Sequence, residues 1–340
     1  MDRILFALAA CGTIALTAQD LPTGFPKPRV PLDNPLTPAK VELGRYLFYD
    51  TRMSVNGKSS CASCHKQELA FTDGLPVAVG ATGEKHPRGA MSLVNIAYSA
   101  ALTWGNPGIV SLEQQALIPM FGENPLELGL RVGDSFLSTL RSDPKYRELF
   151  EYAFPQDSDR FTIVNVTKAI ASFERSIISA RSPYDRYHYC GDDSAVSDSA
   201  KRGEILFFSQ QLSCFRCHGG FNFGGGAEFH NNGLYNARGG PDTGISEFTK
   251  DPKDAGKFKA PTLRNIALTA PYMHDGSIAT LDGVLSHYAS AGHNSPNKDP
   301  LIAGFALSSQ DRIDLIEFLK SLTDQAVLYD RRFANPRSVP

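Results

Sequence analysis

The sequence predicts an all-α chain built from two tandem modules. Three observations carry this: apolar residues at helical spacing, a short segment that occurs twice, and a polar break between the copies. The copies are Gly44-Arg45-Tyr46-Leu47-Phe48 and Gly203-Glu204-Ile205-Leu206-Phe207, each fitting a short amphipathic helix. Asp192 to Ser199 is polar and small, which divides the chain into residues 25–195 and 196–340. A length of 340 residues suits two domains. With 42% hydrophobic and 21% charged residues, the composition excludes disorder. Lys and Arg number 34 against 36 Asp and Glu, so there is no basic field and nucleic acid is not an expected partner.

At the N-terminus, Ile4 to Ala18 is apolar and small but too short to span a bilayer. Residues 1–18 therefore read as an export signal, although Asp2 beside Arg3 is an unusual start for one. Two processing routes compete. Leu8-Ala9-Ala10-Cys11 resembles a lipobox that would leave a lipidated Cys11 as a membrane tether, whereas Thr13 to Ala18 suits ordinary signal peptidase. Either route implies a periplasmic protein.

Val166, Ala169, Ile170, Phe173 and Ile177 recur at helical spacing. Ser308 stands three residues before Asp311 as a capping box and opens a helix bearing Ile313, Ile316, Leu319 and Leu322. Gly219 to Gly226 and Asn231 to Gly240 read as solvated connections.

The cysteines carry the chemistry. Cys61-Ala62-Ser63-Cys64-His65 and Cys214-Phe215-Arg216-Cys217-His218 are two copies of C-x-x-C-H, each after a Ser and each after one copy of the repeat. Cysteines three apart share one side of a helical turn, where both can form thioethers to one porphyrin while the adjoining His meets the iron. A redox dithiol or a zinc site also uses C-x-x-C, but neither requires a His directly after it, twice. The chain thus reads as two tandem cytochrome c-type domains, each with one covalent haem c, whose inner iron ligands are His65 and His218. Of the remaining cysteines, Cys11 lies in the leader, and Cys190 reads as a buried, unreactive thiol.

At this point the residues resemble the bacterial di-haem cytochrome c peroxidases and the related MauG-type enzymes, over about Pro35 to Leu322. The agreement is carried by the two haem motifs, Ser92-Leu93-Val94-Asn95, Trp104, Gln115 with Pro119, Pro261-Thr262-Leu263-Arg264-Asn265, and Pro271-Tyr272-Met273-His274-Asp275-Gly276. The resemblance implies an all-α fold with haems in separate domains and hydrogen peroxide as oxidant. Peroxidases of this family place a Met fourteen residues beyond the His of the H-D-G motif as outer ligand of the second haem. Here that residue is Tyr288, as in the MauG branch. A phenolate is a harder ligand than a thioether and favours higher oxidation states. His287, Met273 or a purely structural Tyr288 remain alternatives. His274 is read as supporting the pocket, and His188, His230 and His293 as surface or loop residues.

For the first haem the resemblance implies an accessible outer side, with Gln115 fixing bound oxygen and an acid moving a proton between the peroxide oxygens. Glu127 fits that acid and Glu123 is its rival. His86 stands one residue out of register from the removable outer His of the peroxidases, either as a ligand of the resting iron or as a loop residue. Trp104 matches the residue placed between the haems, where an indole can carry a hole. Asn95, Thr269 and Pro271 match an inter-haem calcium site with oxygen ligands.

The leading expectation is an exported peroxidase-type enzyme of MauG character. Peroxide oxidises the first haem, the pair shares two oxidising equivalents through Trp104 in a high-valent di-haem state, and a partner, expected to be a protein, is oxidised at a distance. The stretch from Leu112 to Pro125 looks closest to the MauG relatives of methanobactin-type copper clusters, a group that includes enzymes modifying Trp side chains of a partner encoded nearby. The alternatives are peroxide detoxification with a small electron-donor protein, and a non-enzymatic di-haem electron carrier.

Overall fold

A computed structural model of the chain describes residues 21–133, 135–236 and 240–338. The expected leader, with Cys11 and both cleavage routes, lies outside the described residues. Among the described residues eleven α-helices order the chain. They are α1 (Pro38–Phe48), α2 (Cys61–Cys64), α3 (Leu112–Phe121), α4 (Phe136–Ser142), α5 (Pro144–Ala153), α6 (Ile163–Ser176) and α7 (Pro183–Cys190), then α8 (Asp198–Phe207), α9 (Ser246–Thr249), α10 (Leu281–Ala289) and α11 (Ser309–Ser321). The described departure from all-α is one two-residue antiparallel pair, β1 (Phe229–His230) with β2 (Phe258–Lys259), in which His230 faces Phe258.

Local chemistry sets the helix starts. The Thr37 hydroxyl accepts the Lys40 amide with Pro38 in the first turn, and Thr162 does the same for Asn165. Ser308 and Asp311 form the expected reciprocal cap at the start of α11. The expected apolar face of α6 is buried at Val166, Ala169, Ile170 and Phe173. On α11, Leu319 is buried but Ile313 is 53% exposed, because the helix buries one stripe against α8 and Ile313 lies outside it.

The repeated segment makes the same crossing twice. A Cβ on Gly44 would fall 1.9 Å from the Ala169 carbonyl oxygen and 2.9 Å from Phe173 Cβ, and one on Gly203 would fall 2.0 Å from the Asp314 oxygen and 2.8 Å from Phe318 Cβ. Helix α1 thus lies directly on α6, and α8 on α11, with glycine at the point of closest approach. Leu47, Phe48 and Phe207 are carried by this crossing into the protein core.

Each module has its own apolar cluster. One gathers Leu43, Leu47, Met120, Phe150 and Ile170, and another gathers Phe207, Phe223, Leu285, Leu315 and Phe318. Two segments pack on the module opposite to their place in the chain. Val327, Leu328 and Phe333 join Phe48, Phe71 and Phe173 of the first module, where Tyr49 donates to Phe333 O (2.7 Å) and Gln67 Nε2 to Val327 O (2.9 Å). Helix α7 packs on the second module through Tyr184, against Phe223 and Phe318, and through Asp185, which is paired with the buried Arg264 (2.8 Å). Cys190 differs from its sequence reading. It is exposed, because the short helix α7 turns its last residue to solvent, and its sulfur is disulfide-bonded rather than a free thiol.

Candidate active site

Both C-x-x-C-H motifs fold as single tight turns, α2 for the first and a 3-10 turn over Cys214–Arg216 for the second. In the first, Ser60 and Ser63 cap one another, which holds Cys61 and Cys64 on one turn. The four thiols are unbridged, and burial pushes those of Cys61, Cys64 and Cys214 up. His65 Nδ1 bonds Phe71 O (3.0 Å), and His218 Nδ1 bonds Phe223 O (3.3 Å) and Pro261 O (3.1 Å). A ring nitrogen held on a carbonyl must carry the proton, so Nε2 is the free ligand atom in both histidines. Burial depresses the basicity of both, His218 to about 4, which keeps the imidazoles neutral as an iron ligand requires.

At the second motif, Cys214, Cys217 and His218 line a largely apolar cavity with about 1420 Å³ of atom-free space, part of it open to solvent. Its wall includes Leu285, Leu315, Phe207 and Trp104, and it also carries Met273 and Tyr288. Unbridged thiol pairs on one turn, a neutral His with Nε2 free, and a roomy apolar cavity are what a covalently held porphyrin needs.

The alternatives at the second haem separate in part. Tyr288, near the end of α10, and Met273, in a left-handed turn at φ +73°, both line the cavity. The Asn232 amide nitrogen lies 3.3 Å from Met273 Sδ and 3.5 Å from Tyr288 Oη. His287 is instead held by the Asn232 carbonyl, 2.9 Å from its Nε2, and is not part of the cavity wall.

Around the first motif, residues 78–88 fold back on themselves and dock on the segment after α3. Ala81 N donates to Glu127 O (2.7 Å), and His86 Nε2 meets Glu127 Oε1 at 3.2 Å. The structure therefore joins two of the candidates, His86 and Glu127. Glu127 is only half-buried and adds to the negative potential at Cys61, Cys64 and His65, whereas Glu123 is exposed. Gln115 is half-buried on α3, next to Ala116, which packs in the same cluster as Cys61.

Between the modules, Trp104 Nε1 donates to Gly89 O (2.9 Å), and its carbonyl accepts the Lys259 amide (3.0 Å). Trp104 and Lys259 line both the second-motif cavity and a smaller cavity shared by the modules. Burial lowers the Lys259 ammonium to about 8. Thr269 and Pro271 line the smaller cavity, where Asp73 also has a buried oxygen without a partner. Asn95 does not line it. Its amide is spent on Ser179, donating to the carbonyl (2.9 Å) and accepting the backbone N–H (2.8 Å).

Several residues were missed or misread. His230, taken for a surface or loop residue, lines the second-motif cavity with Nδ1 on Asp299 (2.6 Å), because β1 turns it inward. Asn231 and Gly233, in a supposedly solvated connection, are buried, and Asn232 faces the cavity. The Asn-Asn-Gly run beside His230 was the available signal.

Comparison with known proteins agrees with this geometry. The pattern of the di-haem cytochrome c peroxidases matches residues 38–194, and that of cytochrome c matches residues 200–323. The chain is 35% identical to methylamine utilization protein MauG of Methylorubrum extorquens, over 92% of this chain and 88% of that one. It is also 35% identical to cytochrome-c peroxidase IdrP1 of Denitromonas iodatirespirans, over 94% and 92% of the two chains. A solved MauG-like protein associated with microbial copper homeostasis superposes with a TM-score of 0.89 at 41% identity, covering 94% of this chain and 99% of that one. Two haem-attachment turns on matching crossed-helix modules, and relatives covering nearly the whole chain, lead to one conclusion. This chain belongs to the di-haem cytochrome c peroxidase and MauG family of oxidoreductases, with covalent haem c on both modules, hydrogen peroxide as oxidant and a redox partner protein.

Proposed function

We propose that this enzyme works in the MauG manner: peroxide reacts at the first module, and a protein partner is oxidised at a distance, with Trp104 joining the two haem sites. The observation that carries this reading is Trp104, which lines the second-motif cavity and the cavity shared by the modules and is held by Gly89 and Lys259. The covalent haems, when attached, supply the iron that exchanges electrons with peroxide. The chain's own groups handle protons and positions. His65 and His218 each keep Nδ1–H on a carbonyl and so offer Nε2 to the metal.

Glu127 is the acid–base group at the first module, and Gln115 orients the oxidant. Glu127 is favoured over Glu123 because it is half-buried and its charge is felt at His65 and the thiols. His86, in contact with Glu127, holds that carboxylate in place. Tyr288, on the cavity wall, would offer its phenol oxygen to the iron of the second haem. Tyr288 is half-buried, its phenol has a single weak hydrogen bond, from Asn232, and desolvation raises its pKa where no cation is near. A bound cation would reverse that shift.

A lipid or signal-peptidase route to the periplasm is proposed from residues 1–18. Among the described residues no helix is long and apolar enough to cross a membrane. The 41% identity to the MauG-like protein associated with copper homeostasis favours the MauG manner over detoxification.

The test is rapid mixing of the ferric, haem-loaded enzyme with stoichiometric peroxide. Lasting oxidation of both haems is expected, and its loss in Tyr288→Phe with haem content retained. Rapid consumption of peroxide only with a reduced donor would favour detoxification, and an unchanged spectrum would mean an electron carrier. Survival of the lasting state in Tyr288→Phe would refute the ligand assignment.

A further inference from the structure

Tyr235 stands just outside the second-haem cavity with its phenol between a carboxylate and an imidazole. Its Oη lies 2.7 Å from Asp275 Oδ2 and 3.0 Å from His274 Nε2. The phenol has one proton, and the carboxylate can only accept, so Tyr235 donates to Asp275. His274 is neutral, its basicity depressed by burial to about 4, and it completes the pattern by donating Nε2–H to the phenol oxygen. Ser277 N–H donates to the other oxygen of Asp275 (3.0 Å), which fixes the carboxylate.

The rings make a path. Tyr235 meets His274 edge-on at 5.5 Å between centroids, and His274 stacks on Phe258 at 3.6 Å and 13°. His274 and Phe258 both line the second-haem cavity beside Trp104 and Tyr288. On its other side, Tyr235 lines a separate cavity of mixed polar and apolar character with Asp242, Thr243 and Asn297, and Asn232 and Phe258 form walls of both cavities. Phe258 and Asn232 thus separate the haem site from this recess, and the Tyr235 phenol lies on the recess side, joined to the haem side through His274.

We propose that Tyr235 is a one-electron relay that carries oxidation from the second-haem site to a reductant held in the recess lined by Asp242 and Asn297. Tyr235 gives one electron across the His274–Phe258 stack to the haem pair, which has been oxidised by peroxide. Its O–H bond breaks, the proton goes to Asp275 Oδ2, and a neutral phenoxyl radical is left with its oxygen held by His274 N–H. A one-electron donor supplied by the redox partner at the recess then reduces the phenoxyl, and Asp275 returns the proton. Such a donor is oxidised without approaching either iron. A positively charged phenol radical is a far poorer intermediate than the neutral one, so the fixed acceptor at 2.7 Å is what makes the residue useful.

The proposal rests on the peroxidase reading above, and the test separates the two. Haem-loaded full-length enzyme is mixed with one equivalent of peroxide and followed by haem absorbance and by electron paramagnetic resonance, with tyrosine ring-deuterated in a parallel sample. The expected result is a radical signal that narrows on deuteration, is lost in Tyr235→Phe, and is also lost in Asp275→Asn, which keeps the phenol but removes the proton acceptor. In both variants the haem spectrum before peroxide is unchanged and the oxidised haem state decays more slowly. A deuterium-sensitive signal of undiminished size in Tyr235→Phe, or none in the unaltered enzyme while the haems respond, overturns the relay alone. Haems that do not respond to peroxide overturn the peroxidase reading and the relay with it.

Discussion

Asn95 and Asn265 occupy equivalent places in the two modules, and both amides close on Ser179. Asn95 exchanges two hydrogen bonds with the Ser179 backbone, 2.9 and 2.8 Å, while Asn265 Nδ2 donates to the Ser179 hydroxyl (2.9 Å) and its Oδ1 accepts Asp324 N–H (2.8 Å). Both are left-handed, at φ +57° and +60°, and both start a 3-10 turn in the matching segments Ser92-Leu93-Val94-Asn95-Ile96-Ala97 and Thr262-Leu263-Arg264-Asn265-Ile266-Ala267. The segment between α6 and α7 is thereby clamped by one residue from each of the two matching turns.

Removing the hydroxyl in Ser179→Ala leaves the buried Asn265 amide short of a partner. A loss of about 1–2 kcal/mol is expected in urea unfolding of the haem-loaded protein. Asn265→Ala should cost more, because two bonds go and alanine is strained at positive φ. Equal stability of Asn265→Ala and the unaltered chain would remove the clamp from the account.

The paired crossings predict equivalent damage from two distant substitutions. In Gly44→Ala and Gly203→Ala the new methyl group meets a backbone oxygen at about 2 Å. Each helix pair must separate, at about 1–3 kcal/mol or more. The measurement is thermal unfolding with haem content by absorbance, and unchanged midpoints would contradict the packing.

Glu174 is buried on α6 with one carboxylate oxygen unpartnered. Burial raises its pKa from 4.5 to about 8, against the pull of Arg175. The native state therefore keeps this proton between pH 4.5 and 8 while the unfolded chain releases it. Stability falls as pH rises through that window, by about 1.4 kcal/mol per unit for this group. Glu174→Gln should match the unaltered protein near pH 4 and exceed it by roughly 3–5 kcal/mol near pH 8. Parallel stability curves for the two proteins would refute the assignment.

Glu127→Gln should slow the reaction with peroxide by about a hundredfold or more, the usual weight of a positioned acid–base group. Glu123→Gln should leave it unchanged, since Glu123 is exposed. The rate constant from stopped-flow absorbance decides, and the reverse ranking would exchange the two residues.

Trp104→Phe keeps an aromatic ring but loses the 2.9 Å bond to Gly89 O, at a cost of about 1 kcal/mol. The first haem should still respond to peroxide while the response of the second slows. Electron paramagnetic resonance of the two ferric sites follows each separately, and simultaneous responses would show that Trp104 is not the connection.

The sequence by itself determined the covalent chemistry and the doubled architecture. A C-x-x-C-H turn is local, so five adjacent residues suffice to state what binds, and two copies behind two copies of Gly-x-x-Leu-Phe state how often. Helix α6 and the cap of α11 were legible for the same reason, since period and capping act within a few residues. Only the tertiary structure decided what meets across long separations. It set Glu127 rather than Glu123 beside His86, turned His230 and Asn232 into the haem cavity, put Tyr235 on Asp275, and folded Val327 and Phe333 back onto Phe48 and Phe71. Those pairings depend on loop paths and on packing between whole modules, and neither leaves a periodic signal in the chain.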